Sequence, residues 1–325
     1  MFWIFGKPHK DILALYGGGF LALLVFSGVS DSHVIFSITA FIITTFVDAG
    51  HGYVTLCRAF RNPKSRNFNR NVIILVSIAL ISLLWIYFKI PYFWRFVVYF
   101  TLFHHIRQFY GFSKWYQTMN NQLCRWSDFF LYALLILPVV TFHFRSDISF
   151  SIYESQEILF WPSLTLFKVS LTFFVSTLVC WLIYEVHRWK KGFKEINRIL
   201  SIAVPTFLQS YCFIFADKSS TVILPLLAVH GVAYFFITGY SLNKLNTNIS
   251  NLWLKTLILI AVVAVVGGSF DHIAEQYVVF DYINSNLHIL QVIAIIAITT
   301  PALWHYVLDG LIWSKTDSDF KHIRS

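Results

Sequence analysis

Long apolar runs separated by short polar turns recur from one end of this chain to the other. A bilayer's hydrocarbon core needs about 20 consecutive apolar residues in a helix to cross it, and runs of about 17 or more satisfy that requirement. Inside lipid the backbone must bond to itself, so the runs predict helices. They fall at roughly 11–29, 32–56, 71–88, 93–113, 127–143, 164–187, 198–216, 219–241, 252–269 and 288–314, with ends good to a few residues. The longest connections, 144–163 and 270–287, are short, and no repeat or low-complexity linker interrupts the pattern. The expectation is an all-α, polytopic integral membrane protein of about ten transmembrane helices, a single transmembrane domain over 1–325.

Polar positions between the runs set the orientation. The loop after the second span carries Arg58, Arg61, Lys64, Arg66 and Arg70, and the loop after the sixth carries Arg188, Lys190, Lys191, Lys194 and Arg198. Lys114 and Arg125 follow the fourth span, and Lys315, Lys321 and Arg324 lie in the C-terminal tail. On the other side, loop 144–163 has Arg145 against Asp147, Glu154 and Glu157, and loop 270–287 has Asp271, Glu275 and Asp281. The bias of Lys and Arg toward cytoplasmic loops then places both termini in the cytoplasm.

Composition agrees: the chain is 57% hydrophobic and 13% charged, whereas a soluble domain is about a quarter charged. A net charge of +9 invites a nucleic-acid reading. The basic residues lie in short loops at helix ends, so no nucleic-acid partner is expected. Cys57, Cys124, Cys180 and Cys212 show no paired spacing, so neither a disulfide nor a thiolate metal site is expected. The first span follows Lys7 and Lys10 without a small-residue cleavage pattern and reads as retained. The expected location is a bacterial inner membrane.

Against this apolar background four histidines stand out: His51, His104, His230 and His305. Ionisable residues inside membrane spans are costly and mark sites or pathways. All four belong to even-numbered spans, and at about 1.5 Å per residue they sit roughly 8–16 Å from the cytoplasmic helix ends. Asp48 and His51 are three residues apart, and His305 and Asp309 four apart, so each pair shares a helix face. A carboxylate beside an imidazole either ligates the same ion or orients the ring. His104 shares its stripe with Arg107 and Gln108, which are placed to orient a polar group of a substrate or of bound oxygen. His105 lies about 100° round the helix from His104 and stays open as the alternative ligand.

The expectation is a metal centre held by His51, His104, His230 and His305, with Asp48 and Asp309 as ligands or orienting groups. Imidazole with carboxylate and without thiolate suits iron, zinc, copper or manganese. Iron fits oxidation of a lipid, and zinc with a bound water fits hydrolysis. The other histidines, His9, His33, His143, His187, His272, His288 and His322, lie in tails, turns or interfaces. The 11 Trp, 16 Tyr and 34 Phe supply interfacial belts and could line a cavity for a lipid-like substrate. Gly17, Gly18 and Gly19 allow a close helix approach, and Pro138, Pro205, Pro225 and Pro301 are expected to bend their spans.

The Asp48-x-x-His51 element in an early span, with isolated His104, His230 and His305 in later ones, resembles the membrane carotenoid-cleaving dioxygenases of the bacteriorhodopsin-related-protein family. The resemblance rests on these short patches and the general layout. It implies a polytopic fold, one histidine-held iron and an oxygenase acting on an isoprenoid. The HxxxH and HxxHH boxes of membrane desaturases and the HExxH of zinc proteases are absent. Three readings follow: a metal-dependent oxygenase acting on an apolar small molecule drawn from membrane lipids, a proton-coupled carrier using the same His and Asp residues, and a metal-free structural subunit. Protein partners are not indicated.

Overall fold

In the computed structural model each apolar run is helical wherever it is described, at residues 2–60, 66–148, 157–244, 252–275 and 289–312. In chain order the helices are α1 (Pro8–Gly28) and α2 (Val34–Ala59), then α3 (Arg66–Tyr87), α4 (Phe93–Met119), α5 (Arg125–Phe142) and α6 (Leu164–Lys190). Next come α7 (Ile196–Phe215), α8 (Ser219–Lys244), α9 (Leu252–Ala274) and α10 (Ile289–Ile312). Among the described residues 9 helices are long and apolar enough to cross a membrane. The chain therefore has the make-up of an integral membrane protein.

The exception is α4. At 27 residues it has ample length, but Arg95, His104, His105, Arg107, Gln108 and Lys114 lower its apolarity. Those are the residues that mark it chemically. Arg61, Lys64, Glu154, Asp281, His288, Lys315, Lys321, His322 and Arg324 lie outside the described residues.

The chain divides into two compact units. The first comprises Met1–Phe36, Leu102–Phe150 and Ile158–His230; the second comprises Ser37–Thr101, Ser151–Glu157 and Gly231–Ser325. In the first, α5 packs against α6 and α7. Gly19 of α1 lets that helix close on Val229: a Cβ there would stand 2.6 Å from the valine Cβ. The N-terminal residues are tied down by Asp11, which is 1% exposed and accepts hydrogen bonds from the amides of Ile4 and Phe5 at 2.8 Å and from the Tyr116 hydroxyl at 2.5 Å.

In the second unit α9 runs antiparallel to α2, and α10 packs on α3 and α2. Two glycines set the α2–α9 spacing. Gly50 faces Ala264, and Gly268 faces the Thr45 backbone, so neither position leaves room for a Cβ. Within α2, residues Ile42–Ala49 form a π-helical stretch that reverts to α-helix at Gly50. Such i→i+5 stretches widen the turn and cluster at functional sites. This one ends two residues before His51.

Candidate metal centre

In the second unit, α2 supplies His51 and Thr55, α8 supplies Tyr234, and α10 supplies His305 and Asp309. His51 is 3% exposed, and His305 and Thr55 are fully buried. The two imidazoles meet edge to face, with ring centroids 4.6 Å apart and planes at 86°. Two imidazoles on one ion, with metal–nitrogen bonds of roughly 2.0–2.1 Å, place their centroids about 4.5–5.2 Å apart at right-angled to tetrahedral geometry. The observed separation fits a shared ion.

Hydrogen bonds assign the ring protons. His51 Nδ1 lies 3.0 Å from the carbonyl oxygen of Val47, in the π-helical stretch. A carbonyl only accepts, so Nδ1 carries the proton and the neutral ring keeps its lone pair on Nε2. At His305 the assignment comes through a chain. Tyr234 donates to Asp309 Oδ1 at 3.1 Å, so its oxygen accepts from Thr55 Oγ1 at 2.8 Å. Thr55 Oγ1 in turn accepts from His305 Nδ1 at 2.6 Å. His305 thus also keeps its lone pair on Nε2, the form in which histidine ligates metals. Asp309 Oδ1 stands 3.6 Å from His305 Nδ1, on the proton-bearing edge of the ring.

Asp48 lies within the π-helical stretch. Its electrostatic neighbours are Glu275, Asp271 and Tyr306. Tyr53 bonds Asp271 at 3.5 Å on the same side. Pro301 lies against α2 near Gly52, one turn before His305.

The first unit gathers the other histidines. His104, His105 and His230 are all buried. His104 meets His230 edge to face at 4.8 Å and 81°, which again suits a shared ion. His105 stacks on His230 at 4.3 Å and 26°. Imidazole lone pairs lie in the ring plane, so two stacked rings do not aim them at a common point. The edge-to-face pair His104–His230 has the geometry a shared ion needs, and the stacked pair His105–His230 does not.

Gln108 is engaged with His230 at both ends. Its Nε2 donates to the His230 carbonyl oxygen at 3.1 Å, which leaves Oε1 to accept from His230 Nδ1 at 2.7 Å. His230 consequently has the same tautomer as His51 and His305. Arg107 is exposed; it donates to the Tyr132 hydroxyl at 2.7 Å and lies over the Tyr110 ring. The structure thus pairs His51 with His305 in one unit and His104 with His230 in the other. Thr55 and Tyr234 escaped the sequence reading, although each lies four residues after a marked histidine and so shares its stripe.

Comparison with known protein families, curated proteins and solved structures finds no match.

Proposed function

We propose that this chain is a membrane-embedded, histidine-ligated metalloenzyme, a non-haem iron oxygenase acting on an apolar lipid or isoprenoid. The observation that supports it is the His51–His305 pair: two buried rings 4.6 Å apart, each with its tautomer fixed to keep the lone pair on Nε2. His104 and His230 repeat the arrangement. Donors of this kind fit iron, with zinc as the second choice. The ion would supply activation of dioxygen. The chain's own part is to orient its ligands: Thr55, Tyr234 and Asp309 hold His305, the Val47 carbonyl holds His51, and Gln108 holds His230. Arg107 is the group available to an approaching polar head. This reading takes the fold as about ten spans in a bacterial inner membrane, α4 included, with both termini cytoplasmic, and it carries forward the resemblance to membrane carotenoid dioxygenases.

Metal analysis of protein purified without chelator tests the reading. Roughly one iron per chain is expected for a single centre and roughly two for separate pairs; less than about 0.2 ends the proposal. Replacing His51, His104, His230 or His305 by Gln should each abolish metal retention if the centre is shared.

A second reading has its own support. The chain His305–Thr55–Tyr234–Asp309 links an imidazole to a carboxylate through two hydroxyls, which also suits a proton relay in a proton-coupled carrier. Uptake into proteoliposomes that is driven by a pH gradient and survives metal removal would select it.

A further inference from the structure

The turn joining α6 to α7 is built from a basic and aromatic sequence, Arg188-Trp189-Lys190-Lys191-Gly192-Phe193-Lys194. Its backbone is fixed by helix-capping bonds: Phe193 N donates to the Arg188 carbonyl at 3.1 Å, and Gly192 N to the Trp189 carbonyl at 3.0 Å. Gly192 takes φ of 90°, in the left-handed region that closes such caps.

Both flanks are pinned by a buried ionic network. Arg188 donates to Glu195 Oε2 at 2.7 Å and to Gln122 at 3.1 Å. Arg198, fully buried, donates to Glu195 at 2.8 Å, Ser127 at 2.8 Å and both oxygens of Glu185 at 2.8 and 2.5 Å. From Glu185 to Arg198 the only carboxylates are Glu185 and Glu195, and the two arginines engage both. The charge of Lys190, Lys191 and Lys194 is therefore uncompensated within the turn.

Those lysines are exposed, beside Trp189 at 42%, Phe193 at 40% and Ile196 at 41% exposure. Lys194 Nζ lies 5.9 Å over the Trp189 ring. Amphipathic rings settle at headgroup depth, and juxtamembrane lysines attract anionic lipid. This turn offers both on a backbone that needs no ordering on binding. We propose that the α6–α7 turn is a binding site for the anionic headgroup of a bilayer phospholipid, with Lys190, Lys191 and Lys194 on the phosphate and Trp189 and Phe193 seated at the headgroup–acyl boundary.

The test is quenching of tryptophan fluorescence in reconstituted full-length protein by brominated phosphatidylglycerol against brominated phosphatidylcholine. Wild type should prefer the anionic lipid, by up to about fivefold per lysine, and the preference should shrink in about 0.5 M salt, where charges are screened within a few ångströms. The K190Q/K191Q/K194Q variant should lose at least about tenfold of the preference, the Lys-to-Arg triple variant should keep it, and the wild-type minus W189F difference signal, which isolates Trp189, should carry the preference. Inorganic phosphate should not compete, because it lacks the acyl chain the aromatic pair requires. No preference in wild type, an unchanged preference in the Gln triple variant or at high salt, a wild-type minus W189F difference signal without lipid preference, or displacement by phosphate alone would each overturn the assignment.

Discussion

Gln108 holds His230 from two sides, accepting from the His230 Nδ1 at 2.7 Å and donating to the His230 backbone carbonyl at 3.1 Å. A single side chain therefore fixes both the rotation and the tautomer of a ring that is fully buried. Gln108→Leu keeps the bulk and removes both bonds. Outer partners of metal-bound histidines are worth about 10–100-fold in metal affinity, and under the proposed metal-centre reading that loss is expected with helix content unchanged. Metal titration followed by circular dichroism measures both. Unchanged affinity would show that His230 is not a ligand.

Thr55 and Tyr234 act on His305 as one unit, because each hydroxyl in the chain sets the direction of the next. Tyr234→Phe leaves the buried Thr55 hydroxyl without its acceptor and costs about 1–3 kcal/mol. Thr55→Val breaks the chain one link earlier, at a similar cost. Since the two share an interaction, the double variant should cost less than the sum. Unfolding in mixed micelles gives all three values, and strict additivity would count against a connected chain.

What the sequence made legible here followed from local pattern. Apolar length announced the helices, and polarity inside them announced His51, His104, His230 and His305. The same polarity keeps α4, the helix that carries His104, out of the set of described helices apolar enough to cross a membrane. Two features had no local signal. The π-helical stretch at Ile42–Ala49 changes the turn under Asp48 without any residue that demands it, and the carboxylate ends up near Asp271 and Glu275. Arg198 reads as one more loop cation, but it is buried against Glu185, Glu195 and Ser127, partners 13, 3 and 71 residues away.

The α2–α9 contact should tolerate no added carbon. A Cβ at Gly50 would lie 2.8 Å from the backbone oxygen of Ala264 and 3.0 Å from its Cα. Backbone cannot rotate aside as a side chain can, so Gly50→Ala should force the helices apart and cost about 1–3 kcal/mol. It also sits one residue before His51, so under the proposed metal-centre reading metal affinity should fall with stability. Gly111 has nothing within 4 Å of its notional Cβ, and Gly111→Ala serves as the control, neutral or slightly stabilising through helix propensity.

Acid should weaken the loop that follows α5. Arg145, itself buried, donates to both oxygens of Asp147 at 2.9 and 2.6 Å. Those bonds hold the Asp147 carboxyl below its usual range. A lowered folded value means that the pair's contribution is complete above the ordinary carboxylate pKa of about 4 and is lost as the pH falls through the lowered value. Asp147 is largely exposed, so the effect is small and salt-sensitive. Asp147→Asn should lower thermal stability slightly at neutral pH and flatten its dependence below about pH 4. A variant with the same acid profile as wild type would exclude the pair as its source.

The buried pair of Glu185 and Arg198 makes the most demanding prediction, because it separates the value of the pair from the cost of breaking it. Removing the guanidinium by Arg198→Met leaves Glu185 buried without its cation, and such losses run to about 3–5 kcal/mol. The neighbouring Glu195 keeps Arg188 at 2.7 Å in that variant, so the damage centres on Glu185. Replacing Glu185 as well, in the Glu185→Met, Arg198→Met double variant, takes the stranded charge away, and packed apolar groups can substitute for a buried ion pair at little net cost. The double variant should therefore be more stable than Arg198→Met alone, although it carries one more substitution. Unfolding of Arg198→Met, Glu185→Met and the double variant in mixed micelles decides it. If the double variant is as unstable as the two single losses summed, Glu185 and Arg198 are not coupled as their 2.5 Å contact implies.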